Sequence, residues 1–235
     1  MTYQWDAYTS IGGRKNNEDA VAVLEGARGV LLLVADGLGG HDCGEAASAL
    51  TIETIRCRFA DVTRPFDLSE ALCEANTAVR AKQRESGLQM KTTVCAAWLC
   101  GDKTVLAHVG DSRIYAFFDR QVVFESLDHS ASQMAVLLGE ITRDDIRTHA
   151  DRSVLTRAIG GAEQVKPDVT VLSTDAYDAL LLCTDGFWEY VLEREMGVLQ
   201  AAGNGAKGWL TAMRALHASR VPPKHDNNSA IVLMK

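Results

Sequence analysis

Seven apolar runs of five to nine residues, each bounded by turn residues, constrain the fold of this chain most: 29–35, 92–100, 103–109, 114–118, 121–126, 179–184 and 229–234. Runs of that length between turn signals read as strands. The gaps Gly101-Asp102 and Asp119-Arg120 hold only two residues, which is enough to close antiparallel hairpins. Helical spacing appears over 44–59, with Ala47, Leu50, Ile55 and Phe59 among its apolar positions, and over 68–84, where Asp67 followed by Glu70 is an N-terminal capping signature. Two later helices fit 189–201 and 206–220. Helices and strands do not alternate regularly, so the pattern favours α+β with antiparallel sheets over a parallel doubly wound sheet. The stretch 131–152 carries short helical pieces, including 142–149, and many charges. It reads as a surface flap between two core strands.

At 235 residues the chain is long enough for one sizeable core, and no Pro/Ser-rich or low-complexity stretch divides it, so one domain over 1–235 is expected. The formal net charge of -7 disfavours a nucleic acid or an anionic membrane as partner, because such surfaces are met by an excess of lysine and arginine. Neither a signal-like N-terminus nor a membrane-spanning run is present, so a cytoplasmic monomer is expected. None of the six cysteines is spaced Cys-x-x-Cys, and buried free thiols are the expected state. None stands six residues before an arginine, which excludes the cysteine-dependent phosphatase loop. No Gly-x4-Gly-Lys-Ser/Thr loop supports nucleotide hydrolysis.

The acids are placed informatively. Asp36, Asp111, Asp185 and Asp226 each stand at or beside the end of an apolar run and next to a glycine or asparagine. One Asp-Gly after a strand is usually only a turn. Four such carboxylates on rigid mounts would repel one another unless cations sat among them. Carboxylates, a backbone carbonyl and water are hard oxygen ligands that favour Mg²⁺ or Mn²⁺ over zinc. A pair of such ions can lower the pKa of a shared water and make it a nucleophile for in-line attack at phosphorus.

Taken in order, the segments resemble the PP2C-type family of metal-dependent serine/threonine phosphatases in its compact bacterial form. They are Arg14-Lys-Asn-Asn-Glu-Asp19, Val34-Ala-Asp-Gly-Leu-Gly-Gly-His41, Gly44-Glu-Ala-Ala-Ser48, Thr92-Thr93, His108-Val-Gly-Asp-Ser-Arg-Ile-Tyr115, Asp128-His-Ser130, Leu155-Thr-Arg-Ala-Ile-Gly160, Leu181-Leu-Cys-Thr-Asp-Gly186 and Asp226-Asn227. The resemblance implies a central sandwich of two antiparallel sheets with helices on both outer faces and the metals in a cleft at one edge. It implies that Asp36 bridges two Mn²⁺ or Mg²⁺ ions, that Gly37 offers its carbonyl to one, and that Asp185 and Asp226 bind the other. Glu18 or Asp19 would complete the shell, directly or through water, and Asp111 with Asp185 would hold a third, weaker ion. Arg14 is the implied phosphate clamp, its guanidinium suited to two phosphate oxygens at once, with a surface ion pair to Glu18 or Asp19 as its plain alternative. His41, near the metal loop, is the histidine implied to meet substrate. Asn227 is expected to orient Asp226, and Ser112 with Arg113 to stabilise the Asp111 turn. His108 and His129 read as hydrogen-bonded structural residues.

Two positions depart from the family pattern. Leu38 stands where many eukaryotic relatives carry a histidine, which leaves His41, a metal-bound water and solvent as proton donors to the leaving group. Lys91 stands where a glycine usually precedes the paired threonines. The implied activity is hydrolysis of phosphoserine and phosphothreonine in proteins, opposing a bacterial serine/threonine kinase. The alternatives are an inactive binding module of the same fold, a phosphatase of one small regulator in a transcription or secretion switch, and a metal-dependent nuclease. The acidic balance weighs against the nuclease, and the complete ligand set against the inactive module.

Overall fold

The computed structural model describes residues 3–38 and 43–235. Its strands are β1 (Gln4–Ser10), β2 (Asp19–Gly26), β3 (Gly29–Leu38), β4 (Lys91–Thr92), β5 (Val94–Cys100), β6 (Lys103–Val109), β7 (Arg113–Phe118), β8 (Gln121–Glu125), β9 (Asp168–Ser173), β10 (Ala179–Cys183) and β11 (Asn228–Met234). The helices are α1 (Cys43–Ala60), α2 (Leu68–Ser86), α3 (Ala131–Leu137), α4 (Asp185–Trp188), α5 (Glu193–Ala202) and α6 (Gly205–Ala218). One sheet runs β1-β11-β10-β7-β8 and the other β2-β3-β5-β6-β9, with β4 paired to the end of β3. Every pairing is antiparallel. The chain thus forms the α+β sandwich that the resemblance implies.

The middles of the inner strands are apolar on both faces because both faces of each sheet are covered. On β3, Leu31, Leu33 and Ala35 pack against Ile55 and Phe59 of α1 and Leu72 and Val79 of α2. Leu32 and Val34 point the other way, toward Leu180 and Leu182 of β10 and Ile231 and Leu233 of β11. On the far face of that sheet, Leu181 and Val232 meet Met196 of α5 and Trp209, Leu210 and Met213 of α6. Alternation on a pleated strand sends neighbours to opposite faces, and here both faces are dry.

Local chemistry sets the joints. Asp119 and Arg120 both have positive φ, 45° and 67°, which is the two-residue turn whose twist matches a hairpin. The Asp67 side chain accepts from Glu70 N at 2.9 Å to start α2, and Gly87, at φ 73°, ends it by donating to Gln83 O.

Four expectations are corrected. The run over 92–100 breaks at Thr93, separating β4 from β5, and the helix expected over 189–201 starts at Glu193, with the short α4 before it. Strands β1, β2 and β9 were not anticipated. Among the described residues no cysteine is in a disulfide, but Cys57 and Cys100 are exposed rather than buried. The segment 131–152 carries many exposed charges as expected, and its three arginines are ion-paired to the rest of the fold. A bridge between Ser130 and Leu155 closes the base of the segment. Arg143 pairs with Glu125, Arg147 with Glu193 at 2.6 Å and Arg152 with Glu189 at 2.7 Å, while Ile146 is buried in the core beside α5 and α6.

Candidate metal centre

Antiparallel register puts Asp19 of β2 directly across from Asp36 of β3. The main chain of Asp36 is fixed by the paired threonines: Thr93 N and Thr92 Oγ1 donate to Asp36 O at 2.8 and 2.7 Å, and Asp36 N donates to Thr93 Oγ1 at 3.1 Å. Thr93 Oγ1 also bonds Ser112 Oγ at 2.7 Å, which links this strand end to the turn carrying Asp111. Gly37 is enclosed so closely that a Cβ would lie 2.3 Å from Gly44 O and 2.6 Å from Glu18 O. Only glycine lets β3, the first turn of α1 and the β1–β2 loop meet here.

Asp19 reaches into the space between the sheets. Its Oδ2 accepts from Ser229 Oγ at 2.7 Å and Thr184 Oγ1 at 3.1 Å, whereas its Oδ1 is buried with no hydrogen-bond partner. Asp185, at the first residue of α4, likewise leaves a buried Oδ1 without a partner. A Cβ on the following Gly186 would fall 2.1 Å from Asn227 O, so glycine is needed where the start of β11 crosses α4. Asp111 is buried in the turn after β6, and its carbonyl accepts from Trp188 Nε1 at 2.9 Å. The Glu18 carboxylate lies over Gly44, close enough that a Cβ there would be 2.6 Å from Oε2.

Electrostatics show how closely these groups are gathered. Burial pushes the Asp19 carboxyl up to about 7, with the charges of Asp185 and Asp226 adding to the rise. Burial, Glu189 and Asp226 push Asp185 up to about 6. Asp36 is raised well above the usual carboxylate range by burial and by Asp185, Asp19 and Asp111, and Asp111 by burial, Asp185 and Asp128. A hydrogen bond between Asp36 and Asp185 favours the proton on Asp36. A cluster of buried acids that resists ionisation and leaves oxygens unbonded is short of positive charge.

At the rim, Arg14 Nη2 donates to Asp226 Oδ2 at 2.6 Å, and its guanidinium also lies in the field of Asp185 and Glu18. The ion pair therefore forms with Asp226, not with Glu18 or Asp19 as the plain alternative had it. Asn227 reaches Asp226 only through its main-chain N–H, 2.8 Å from Asp226 Oδ1. Its side chain instead holds the β1–β2 loop, accepting from Glu18 N and donating to Ile11 O and Asn16 O. The structure thus brings Arg14, Glu18, Asp19, Asp36, Gly37, Asp111, Asp185 and Asp226 to one edge of the sandwich. His41 lies outside the described residues.

The protein phosphatase 2C family model matches residues 9–213. The chain belongs to the protein phosphatase 2C family. It is 32% identical over 197 residues to a putative 2C-type protein phosphatase of Streptococcus pyogenes, a match covering 80% of each chain. Its fold superposes with a TM-score of 0.89 on the serine/threonine phosphatase Stp1 of Staphylococcus aureus, at 27% identity over 100% of this chain and 95% of the other. It also matches the catalytic domain of the serine/threonine protein phosphatase PstP, solved with two manganese ions, with a TM-score of 0.81, 29% identity and coverage of 99% and 97%. The chain is accordingly a metal-dependent protein serine/threonine phosphatase.

Trp188 and Asp168, which meet residues read as structural supports, were not singled out in the sequence. Arg113 is buried and forked onto Asp128 by bonds of 2.8 and 2.7 Å, and its guanidinium lies 3.5 Å from the ring centre of Trp188. It supports the Asp111 turn through Trp188 and also by its charge on the Asp111 carboxyl, and Ser112 acts through Thr93. The Trp after Asp185-Gly-Phe was the available signal. His108 and His129 stack at 4.6 Å. His108 Nε2 bonds Leu127 O, and His129 Nδ1 accepts from Gly110 N. With Asp168 they bring ligand atoms within 4.8 Å, a set that suits one divalent ion. Arg157 Nη1 already lies 2.9 Å from His129 Nε2 and 2.6 Å from Asp168 Oδ1, so a guanidinium supplies positive charge there.

Proposed function

We propose that Asp36 bridges two divalent cations, Mn²⁺ or Mg²⁺, with Gly37 carbonyl, Asp185 and Asp226 as further ligands and Asp19 or Glu18 completing the shell. The observation that carries this reading is the pair of buried, unbonded carboxylate oxygens, Asp19 Oδ1 and Asp185 Oδ1, in a site where Asp19, Asp36, Asp111 and Asp185 are pushed toward protonation. Hard oxygen donors of this kind suit those ions, and the manganese-bound PstP domain supports the choice. When bound, the cations supply Lewis acidity that lowers the pKa of a shared water and offsets the charge of the phosphate. Asp111 with Asp185 would hold a third, weaker ion.

The chain's own residues do the rest. Thr92 and Thr93 keep the Asp36 main chain from shifting, and Asn227 holds Glu18 in register with Asp226. Arg14, with a side chain 58% exposed beside Asp226, has donors left to grip phosphate oxygens. The substrates are phosphoserine and phosphothreonine proteins, with a serine/threonine kinase as the opposing activity and a monomer acting in the cytoplasm. Among the described residues no helix is long and apolar enough to cross a membrane.

Steady-state hydrolysis of a phosphothreonine peptide in Mn²⁺ tests both the activity and the clamp. The wild type should turn the peptide over and leave a phosphodiester untouched. Arg14→Ala should raise KM about tenfold with a smaller fall in kcat, because the clamp holds phosphate before and during the reaction. An inactive wild type would favour the binding-module alternative, and an unaltered KM would leave Arg14 as a surface partner of Asp226.

A further inference from the structure

Lys91 and Leu38, the two departures from the family pattern, are cross-strand partners: β4 pairs with β3 as Gly37↔Thr92 and Leu38↔Lys91. Both line a groove of 590 Å³, which Arg157 and Lys166 line from the 153–166 segment. Three of the groove's lining residues are cations and none is an acid, in a chain whose net charge is -7. Arg157 is already paired with Asp168. Among the described residues no carboxylate pairs with Lys91 or Lys166, both of which are exposed.

The groove is rigidly tied to the metal centre. Thr92 and Ile159 exchange backbone hydrogen bonds of 3.1 and 2.9 Å, which fastens the 153–166 wall to β4. The same Thr92 donates its hydroxyl to Asp36 O. Leu38 lies two residues after Asp36 on β3, so the groove begins within two residues of the proposed phosphate site.

We infer that this groove binds carboxylate side chains flanking the phosphorylated residue, so that Lys91 and Lys166 select phosphoproteins with acidic neighbours. Unpaired ammonium groups facing a cleft without counter-charges attract anions and set specificity more than affinity. The inference rests on the metal-centre reading above, since that reading places the phosphorylated residue beside Leu38.

The test compares kcat/KM of the full chain, with Mn²⁺, on two phosphothreonine peptides of equal length, one flanked by glutamates and one by glutamines. The wild type should prefer the acidic peptide, and Lys91→Glu should lower the preference ratio by about tenfold, the scale of reversing one partly screened charge pair. Lys166→Glu should lower it too, and Lys91→Arg should keep it. Added salt should shrink the wild-type ratio. An identical ratio in the wild type and both charge-reversed variants would overturn the groove assignment alone. Equal loss on both peptides would overturn it as well, because Lys91 would then act on the phosphate itself. Failure of the wild type to hydrolyse either peptide would overturn the metal-centre reading and the groove with it.

Discussion

Asp36→Asn is expected to lower kcat by about 10³-fold or more while the metal-free protein melts higher than the wild type. The two effects share one cause. Asp36 is pushed strongly toward protonation by burial and by Asp185, Asp19 and Asp111. Removing its charge relieves that repulsion, and the threonine bonds to its main chain do not depend on the side chain. The asparagine cannot offer a second anionic oxygen, so the ligand proposed to be shared by two cations would be lost. At pH 8 the metal-free variant should therefore melt higher, by about 2–4 °C for each kcal/mol gained in a chain of this length. Such a trade between activity and stability is the pattern of a strained functional site. Near wild-type turnover at saturating Mn²⁺ would remove Asp36 from the bridging role, and a lower metal-free Tm would make it a structural residue.

The metal-free protein should lose stability as pH rises, and Mn²⁺ should cancel the loss. An aspartate in the unfolded chain ionises near pH 3.9. In the fold without metal, Asp185 holds its proton to about 6 and Asp19 to about 7, both because of burial and neighbouring acids. Between these limits the folded state binds more protons than the unfolded state, so stability falls as pH rises through the folded values. For Asp19 alone the full span corresponds to on the order of 4 kcal/mol. His129, held neutral by burial down to about 4, and His108 and His217, also lowered by burial, work in the opposite direction, and their contribution is lost as pH falls below the usual histidine range. The carboxylates, with Asp36 and Asp111 raised well above the usual range as well, outweigh them, and Tm in chelator should be about 5–10 °C higher at pH 6 than at pH 8.5. Cations hold the carboxylates ionised, so in Mn²⁺ the order should level or reverse. A chelated protein that melts no lower at pH 8.5 than at pH 6 would mean that the acids are not crowded as the geometry has them.

The sequence was most legible where a signal is local. Asp67 with Glu70, the two short hairpin turns and the double-faced apolar runs each act within a few residues, and apart from the break at Thr93 each forms the element expected of it. The strand β9 was missed because it is an edge strand whose Val169 and Val171 are exposed, 45% and 55%, leaving no clean alternation toward a core. In β2 the apolar stretch lies between Asp19 and Glu25, and in β1 it is mixed with Gln4, Asp6 and Thr9. For the site, strand ends pointed to Asp36, Asp111 and Asp185, since an acid after a rigid run is visible in one dimension. What supports them was not visible. Asn227 reaches back to Asn16 and Glu18 across more than two hundred residues, and Trp188 meets Asp111 across 77. Such pairings depend on which strand lies beside which. The apposition of Leu38 and Lys91 is of the same kind: two separate oddities in the sequence become neighbours only through the β3–β4 register.

Counting bound manganese tests the central claim most directly. In titration calorimetry of the chelator-stripped wild type at pH 8, two equivalents of Mn²⁺ should bind tightly, with a third only at much higher concentration, and Asp36→Asn should lose the tight pair. At pH 6 the same titration should weaken and release protons, because Asp19 and Asp185 must ionise to bind. Binding of fewer than two tight ions, or two ions still bound tightly by Asp36→Asn, would contradict a binuclear centre built on this aspartate.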